Sequence, residues 1–524
     1  MANDPGNDLQ SPGSGGATLA SGEQWFGHPR GLSTLFFTEM WERFSYYGLR
    51  ALLVLFMTAA MTAENAGFGF GEGQANAIAG LYLFFVYVLS LPGGWVADNV
   101  WGQKRAIFVG GIIIAAGHFT MAGPMVGLPE QPTFFLGLAL VAIGTGFLKP
   151  NVSSVVGDLY PEGGARRDAG FSVFYMGINI GAMAGPFLCG LIGEGFSIGD
   201  FTYAGNWHLG FSLAGFGMVL GLVQYRLGAK YLDGVGDRPA GVPSDVLSKR
   251  ERTFYLASAV AVLAVALLGF GMATGVIGLT LEALAGSLGV TVVLLVAAFF
   301  TYIVLFGGHS STEKKRLGVI AWLFVLAALF WSGFEQASTS LNLFARDLTD
   351  RNIFGTVIPA STLQLINPLF IVIFAPIFGS LWVWLARRNA NPSIPVKFAL
   401  GLLGLSVGFF VLAWGSANAT PEMPVSPAWL IVTYFFHTCG ELCLSPVGLS
   451  SMTKLSPKSR VGQMMGVWFV AAALGNLIAG LVAGQLENLP ASELFGTVAM
   501  IIGGGGVVAL LFSPFVKRLT AGVD

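Results

Sequence analysis

The sequence predicts an all-α integral membrane protein of fourteen membrane-spanning helices, two bundles of six with two extra helices between them. Of the 524 residues, 54% are hydrophobic and only 10% are charged, where a soluble domain typically has about a quarter charged. Long apolar runs recur along the chain, each close to the roughly 20 residues that cross a bilayer as a helix. Lys and Arg collect on alternate loops between those runs, as membrane topology requires. The net charge of −1 supplies no field that would attract nucleic acid, and no nucleic-acid partner is expected.

Residues 1–30 open with "MANDPGNDLQSPGSGGATLASGEQ", polar and rich in Gly, Ser and Asp. The stretch lacks the basic and apolar regions of a signal peptide and reads as a disordered cytoplasmic tail. The first bundle, residues 31–227, has apolar segments beginning near Leu32, Ala75, Ala106, Thr133, Phe171 and His208. A linker, 228–316, starts polar and basic and then carries two further apolar segments from near Thr253 and Ala285. The second bundle, 317–516, has segments beginning near Leu317, Leu363, Pro395, Pro427, Gly462 and Glu493, and 517–524 form a second cytoplasmic tail. Cys189, Cys439 and Cys443 all lie inside apolar runs, which argues against a disulfide framework. Cys439 and Cys443, one turn apart, read as packing residues rather than metal ligands, and neither a metal nor a cofactor is expected.

The cations fix the orientation. Lys104, Arg105, Arg166, Arg167, Arg226, Lys249, Arg250, Lys314, Lys315, Arg316, Arg387, Arg388, Lys454, Lys517 and Arg518 fall on one side, whereas the opposite loops hold only Arg346 and Arg351. The basic side is expected to be cytoplasmic, with both termini there.

A repeat supports the two-bundle grouping. "GTGFLKPNVSSVVGDLYP" (Gly144–Pro161) and "GELCLSPVGLSSMTKLSP" (Gly440–Pro457) align without a gap, Gly144 on Gly440, Leu148 on Leu444, Pro150 on Pro446 and Pro161 on Pro457. Each is the fourth helix of its own bundle. Parallel halves related by an axis along the membrane normal are a transporter architecture, with substrate held near the midplane between them. The loop "GGWVADNVWGQKRA", with Asp98, Gly102, Lys104 and Arg105, resembles the cytoplasmic signature of the major facilitator superfamily.

The first span, "FFTEMWERFSYYGLRALLVLF", carries Glu39, Glu42, Arg43 and Arg50, although one charge near the bilayer centre costs about 2.5–3.5 kcal/mol on insertion scales. At about 100° per residue these four and Tyr46 share one stripe, with Tyr47 at its edge, so one helix face can point into an aqueous cavity. Other spans bring Lys149, Glu335 and Glu441. Cations and carboxylates around one cavity suit a zwitterion, and each unpaired carboxylate is a possible proton site, since desolvation favours its neutral form and a neighbouring cation opposes that. His437, one turn before Glu441, reads as structural.

"EMWERFSYY" matches the first-helix motif ExxERFxYY of the proton-coupled oligopeptide transporters, a branch of the major facilitator superfamily. "FSVFYMGIN" with Tyr175 and Asn179, "WSGFEQ" with Glu335, "INPLF" with Asn367 and "GELCLSP" with Glu441 resemble that family's other signatures, and the extra helix pair resembles its bacterial members. Phe334 stands where some relatives have a second acid.

The resemblance implies uptake of di- and tripeptides driven by the proton gradient, in a bacterial inner membrane, by a functional monomer in contact with lipid. It implies that Arg43, Arg50 and Lys149, helped by Tyr47, hold the peptide carboxylate, and that Glu441 with Asn179 and Asn367 holds its ammonium. Glu335 would pair with Arg50 and release it on protonation, while Glu39 and Glu42 would pair with Arg43 and Lys149 and contribute to coupling. Tyr87, Trp331 and Trp468 would line side-chain pockets, and Ser445 could hydrogen-bond to Glu441. The alternative is a transporter of nitrate or drug-like substrates on the same fold. An intramembrane metalloprotease is disfavoured by the absence of any HExxH stretch, and a channel suits the two-fold repeat and buried ion pairs less well.

Overall fold

The computed structural model describes residues 24–522, apart from 162–163, 233, 239–241, 458–459 and 485–488. Most of the expected N-terminal tail, residues 1–23, lies outside the described residues. A hairpin of β1 (Gln24–Trp25) and β2 (His28–Pro29) leads into α1 (Gly31–Thr58). The rest of the first bundle is α2 (Glu72–Val88) continued by α3 (Ser90–Val96), then α4 (Gln103–Met121), α5 (Glu130–Asp158), α6 (Gly164–Gly193) and α7 (Trp207–Gly228). The inserted pair is α8 (Ser244–Ala273) and α9 (Leu281–Phe306). The second bundle holds α10 (Ser311–Phe334) continued by α11 (Ser340–Asp347), α12 (Ile366–Arg387), α13 (Ile394–Gly415), α14 (Ala428–Leu455), α15 (Val461–Ala483) and α16 (Ala491–Leu519).

Among the described residues, thirteen helical stretches are long and apolar enough to cross a membrane. The remaining crossing is α1, set apart by its four charges. It is buried on nearly every face, with Leu32, Leu35, Leu49, Leu52 and Phe56 packed in the core; Phe37 is the one exposed residue along it.

Three helices begin well before their apolar runs. α6 starts at Gly164, α8 at Ser244 and α10 at Ser311, each carrying a charged first turn or two. Backbone hydrogen bonding continues a helix past the apolar segment, and at α10 a capping box secures the extension: Ser310 Oγ accepts from the Glu313 amide at 3.3 Å and Glu313 Oε2 accepts from the Ser310 amide at 2.9 Å.

The repeated motif has the same packing role in both halves. A Cβ on Gly144 of α5 would lie 2.6 Å from the Gly110 carbonyl of α4, and one on Gly440 of α14 would lie 2.6 Å from the Gly401 carbonyl of α13. Only a hydrogen fits there, so these two helix pairs pack backbone to backbone. α6 likewise closes on α1, where a Cβ on Gly181 would stand 2.2 Å from the Met40 carbonyl.

The halves meet along two seams, α2 with α15 and α6 with α12. On the first, Gly80 and Gly480 are close enough that a Cβ on either would come within 3.1 Å of the other's Cα. At the end away from the basic loops, called here the far end, further contacts join the halves. Asn342 Nδ2 donates to the Ala51 carbonyl at 2.8 Å, and Arg346 donates to Thr58 Oγ1. Two short hairpins, β3–β4 (Phe196–Ile198 and Phe201–Tyr203) and β5–β6 (Asn352–Ile353 and Thr356–Val357), one from each half, form a four-stranded sheet in the order β4-β3-β6-β5. Its central antiparallel pairing sets Ser197 opposite Val357 and Ile198 opposite Thr356.

The inserted pair is mostly exposed along its apolar length. α9 nevertheless lies on the α2–α15 seam, where Ala285 packs with Leu81 and Phe84 of α2 and Ala473 and Leu477 of α15.

Candidate functional site

The charged groups of α1 make two separate arrangements. One turn pairs Glu39 and Arg43 at 2.9 Å and Glu42 and Arg43 at 2.6 Å, all with side chains no more than 5% exposed. Two turns on, Arg50 Nη2 reaches across the midline to Glu335 Oε2 at 2.6 Å. Glu335 is available because α10 ends at Phe334: residues Glu335–Ser338 form a tight 3-10 turn before α11, which turns the carboxylate toward α1. Ser340 Oγ donates to Gln336 Oε1 at 2.6 Å and fixes that break. The break itself carries no proline or glycine and left no mark in the hydropathy pattern.

Lys149 is placed otherwise than expected. It forms no ion pair with Glu39 or Glu42; its Nζ lies 3.9 Å from the centroid of the Tyr87 ring and 5.8 Å from that of Tyr46. Both glutamates are already turned to Arg43, and an aromatic face is a good second partner for an ammonium. Arg43 sits over Tyr46 and Arg50 over Tyr47, at 5.1 and 5.8 Å. The three cations thus share a lining of three tyrosines, within electrostatic range of one another's carboxylates.

The opposite wall is built on α12 and α14. Asn367 Nδ2 donates to Thr438 Oγ1 at 2.9 Å and to Glu441 Oε2 at 3.4 Å. Ser445, half-buried one turn further on, makes no hydrogen bond to Glu441; the asparagine has that place. Thr438 was overlooked in the sequence, although three residues before Glu441 it shares that residue's helix face. The wall lies within electrostatic range of Arg50, Glu335 and Tyr47. On α6, Asn179 Nδ2 donates to the Tyr175 carbonyl at 2.9 Å. Tyr175 is 43% exposed although Glu441 and Tyr47 flank it, the mark of a side chain on a cavity wall.

Of the expected pocket aromatics, Tyr87 and Trp331 are half-buried. Trp331 stacks edge-on against Phe330 and Phe334 and packs on Gly475 of α15. Trp468 is 5% exposed, its ring against Gly448 and Phe398 inside the second bundle.

Much of the hydrogen-bonding capacity here is not used within the protein. Glu39 Oε2, Glu42 Oε1, Arg43 Nη2, Arg50 Nε, Tyr46 Oη and Trp331 Nε1 are buried without a hydrogen-bond partner. Buried polar atoms elsewhere in proteins are almost always paired, so a cluster of unused donors and acceptors around fixed charges is suited to a polar, charged guest that alternates with water.

Comparison with known proteins agrees with this geometry. A model of the POT family matches residues 104–501. The peptide transporter YePEPT of Yersinia enterocolitica is 40% identical over 95% of this chain and 96% of its own length. The di-/tripeptide transporter of Lactococcus lactis is 37% identical over 94% of this chain and 97% of its own. A crystal structure of the peptide transporter POT in complex with sulfate superposes with a TM-score of 0.84 at 38% identity, covering 95% of this chain and 97% of that one. The two bundles, the crossing count and these likenesses place the chain among multi-pass membrane transporters of the major facilitator type, and it belongs to the POT family.

Proposed function

We propose that this chain imports di- and tripeptides together with protons by alternating access. One observation carries the reading: cations from the first half and carboxylates from the second stand on either side of one site, joined by the Arg50–Glu335 ion pair. A peptide is a zwitterion with two termini to be read. Arg43, Arg50 and Lys149, with Tyr47, receive its carboxylate; Glu441, with Asn367 and Asn179, receives its ammonium. The names of the relatives support a peptide as the guest.

Coupling follows from competition for Arg50. While Glu335 is ionised, it holds the guanidinium; a proton on Glu335 frees Arg50 for the substrate carboxylate, so proton and peptide favour each other's binding. Glu39 and Glu42 keep Arg43 oriented and add acceptor sites for protons. The basic loops face the cytoplasm of a bacterial inner membrane, both termini included, and one chain suffices for a transport cycle. In that orientation the far-end contacts close the external mouth. The test is uptake of labelled dialanine into proteoliposomes. Uptake is expected to saturate and to accumulate peptide only with an inward proton gradient; equal uptake with and without the gradient would remove the proton from the mechanism.

A further inference from the structure

At the far end the hairpins are not held by their own hydrogen bonds alone. The sheet has only two-residue pairings between the halves, and a ladder so short is marginal by itself. Beside it stands Glu194, the first residue beyond α6. Its Oε2 accepts from the Ala360 amide at 2.9 Å and its Oε1 from the Ser361 amide at 2.9 Å, and Ser361 Oγ donates to the same Oε1. Ala360 and Ser361 open the 3-10 turn that leads into α12, so one carboxylate of the first half satisfies three donors of the second. The seat is tight: a Cβ on Gly190, one turn before Glu194, would lie 2.2 Å from Ser361 Oγ. The charged side chains within range of Glu194 are Arg346 and Arg351, both from the second half. Glu194 is half-buried, and a carboxylate partly removed from water is favoured in such a position while its acceptor sites are filled.

We propose that Glu194 is a clasp that holds the far mouth shut, a positioning residue for alternating access, and that the β3–β6 pairing closes only when this carboxylate is seated on Ala360 and Ser361. Parting the halves at the far end removes those three donors together; beside the two-residue ladder, the hairpins share one further cross-half hydrogen bond, from the Gly199 amide to the Gly355 carbonyl at 3.4 Å. Glu194 touches neither the charged site nor any expected substrate group, so its effect is on which mouth is open and not on which guest binds. The inference rests on the alternating-access reading of the function.

The experiment reads the mouth directly. Opposed residues of an antiparallel pair have Cα atoms about 4.5–5.5 Å apart, within the range a disulfide spans. Ser197→Cys with Val357→Cys, in a background with Cys189, Cys439 and Cys443 replaced by Ala, gives a chain whose oxidation rate reports closure. Oxidation should abolish both gradient-driven uptake and counterflow, and reductant should restore both. Adding Glu194→Ala should slow disulfide formation by about tenfold, the scale of hydrogen bonds to a charged group. Glu194→Asp, which keeps the charge, should recover part of that loss. Ser361→Ala, which leaves Glu194 and both backbone donors in place, should slow it by a smaller factor. In uptake, Glu194→Ala should change the turnover rate more than the KM for peptide. Unchanged oxidation rates in both Glu194→Ala and Ser361→Ala would overturn the clasp, as would counterflow that persists after full cross-linking. If dialanine is not carried by the parent protein, the peptide reading fails, while the oxidation rates still decide the fate of the clasp.

Discussion

The two walls of the site belong to two repeated halves and differ in charge: the first sets three cations against Glu39 and Glu42, and the second carries carboxylates without a cation of its own at the site. On the first-half wall Arg43, Arg50 and Lys149 stand on tyrosine faces; on the second-half wall Glu335 and Glu441 are held by Arg50 and Asn367. Helix packing is shared, since Gly144 and Gly440 make equivalent backbone approaches, yet at the aligned positions Lys149 faces Ser445 and Thr145 faces Glu441 in the alignment. A duplicated scaffold has kept its glycines and divided its polarity. The difference teaches that packing residues fix where the walls stand, and a few side chains decide what each wall reads.

The comparison breaks most severely when one wall loses its tie to the other. Arg50→Leu leaves Glu335 buried and uncompensated, which should destabilise the protein by about 3–5 kcal/mol and abolish transport. Arg50→Leu with Glu335→Leu removes both charges, and thermal unfolding in detergent should return most of the way to the parent value while uptake stays absent. Recovery of uptake in the double variant would show that the pair is only a structural link.

Glu335→Gln is gentler, because it imitates the permanently protonated carboxyl. Accumulation against a peptide gradient should vanish, whereas counterflow into liposomes preloaded with unlabelled peptide should continue at a rate near the parent's. If the variant still concentrates dipeptide when the interior is made alkaline, the coupling carboxylate must be sought in Glu39, Glu42 or Glu441.

Glu441→Ala sharpens the division of labour between the walls. A hydrogen bond to a charged group is worth about 1.5–3 kcal/mol, so affinity for a free dipeptide should fall by about 10- to 100-fold. An N-acetylated dipeptide, with no ammonium to lose, should be affected far less; equal losses for both would detach Glu441 from the amino terminus.

The smallest effect is expected at the tyrosine under Lys149. Tyr87→Leu removes a cation–π contact worth about 0.5–2 kcal/mol and should raise the KM for peptide a few-fold, while Tyr87→Phe, which keeps the ring, should raise it less. The ratio of the two KM values in uptake assays separates the ring's contribution from that of the hydroxyl.

Most of the fold was legible because membrane spans are written in composition. Each apolar segment coincides with a helix, and the largest discrepancies, at α6, α8 and α10, arise where charged turns prolong the helix beyond the apolar run. The charged stripe of α1 was legible for the same reason, since each charge there stands out against Leu and Phe. What hydropathy did not carry is local geometry. The turn at Glu335–Ser338 has no compositional signature. The β3–β4 hairpin is marked only by Gly199-Asp200 between two three-residue strands, a signal too short to show which strand it meets across the halves, and Glu194 looks like an ordinary loop acid until its three donors are seen. Lys149 was misassigned to glutamate partners because a sequence lists charges without showing that Arg43 occupies both carboxylates.

The position of α9 has a consequence for the lipid around the protein. Because α9 lies over the α2–α15 seam with Ala285 against both halves, acyl chains cannot reach that line, while the α6–α12 seam has no such cover among the described helices. The molecule is therefore bound like a book: a spine with a stiff backing on one flank and a free fore-edge on the other. Lateral pressure and bilayer thickness act on the fore-edge, so membrane composition should tune how far the pages part there and hardly touch the spine.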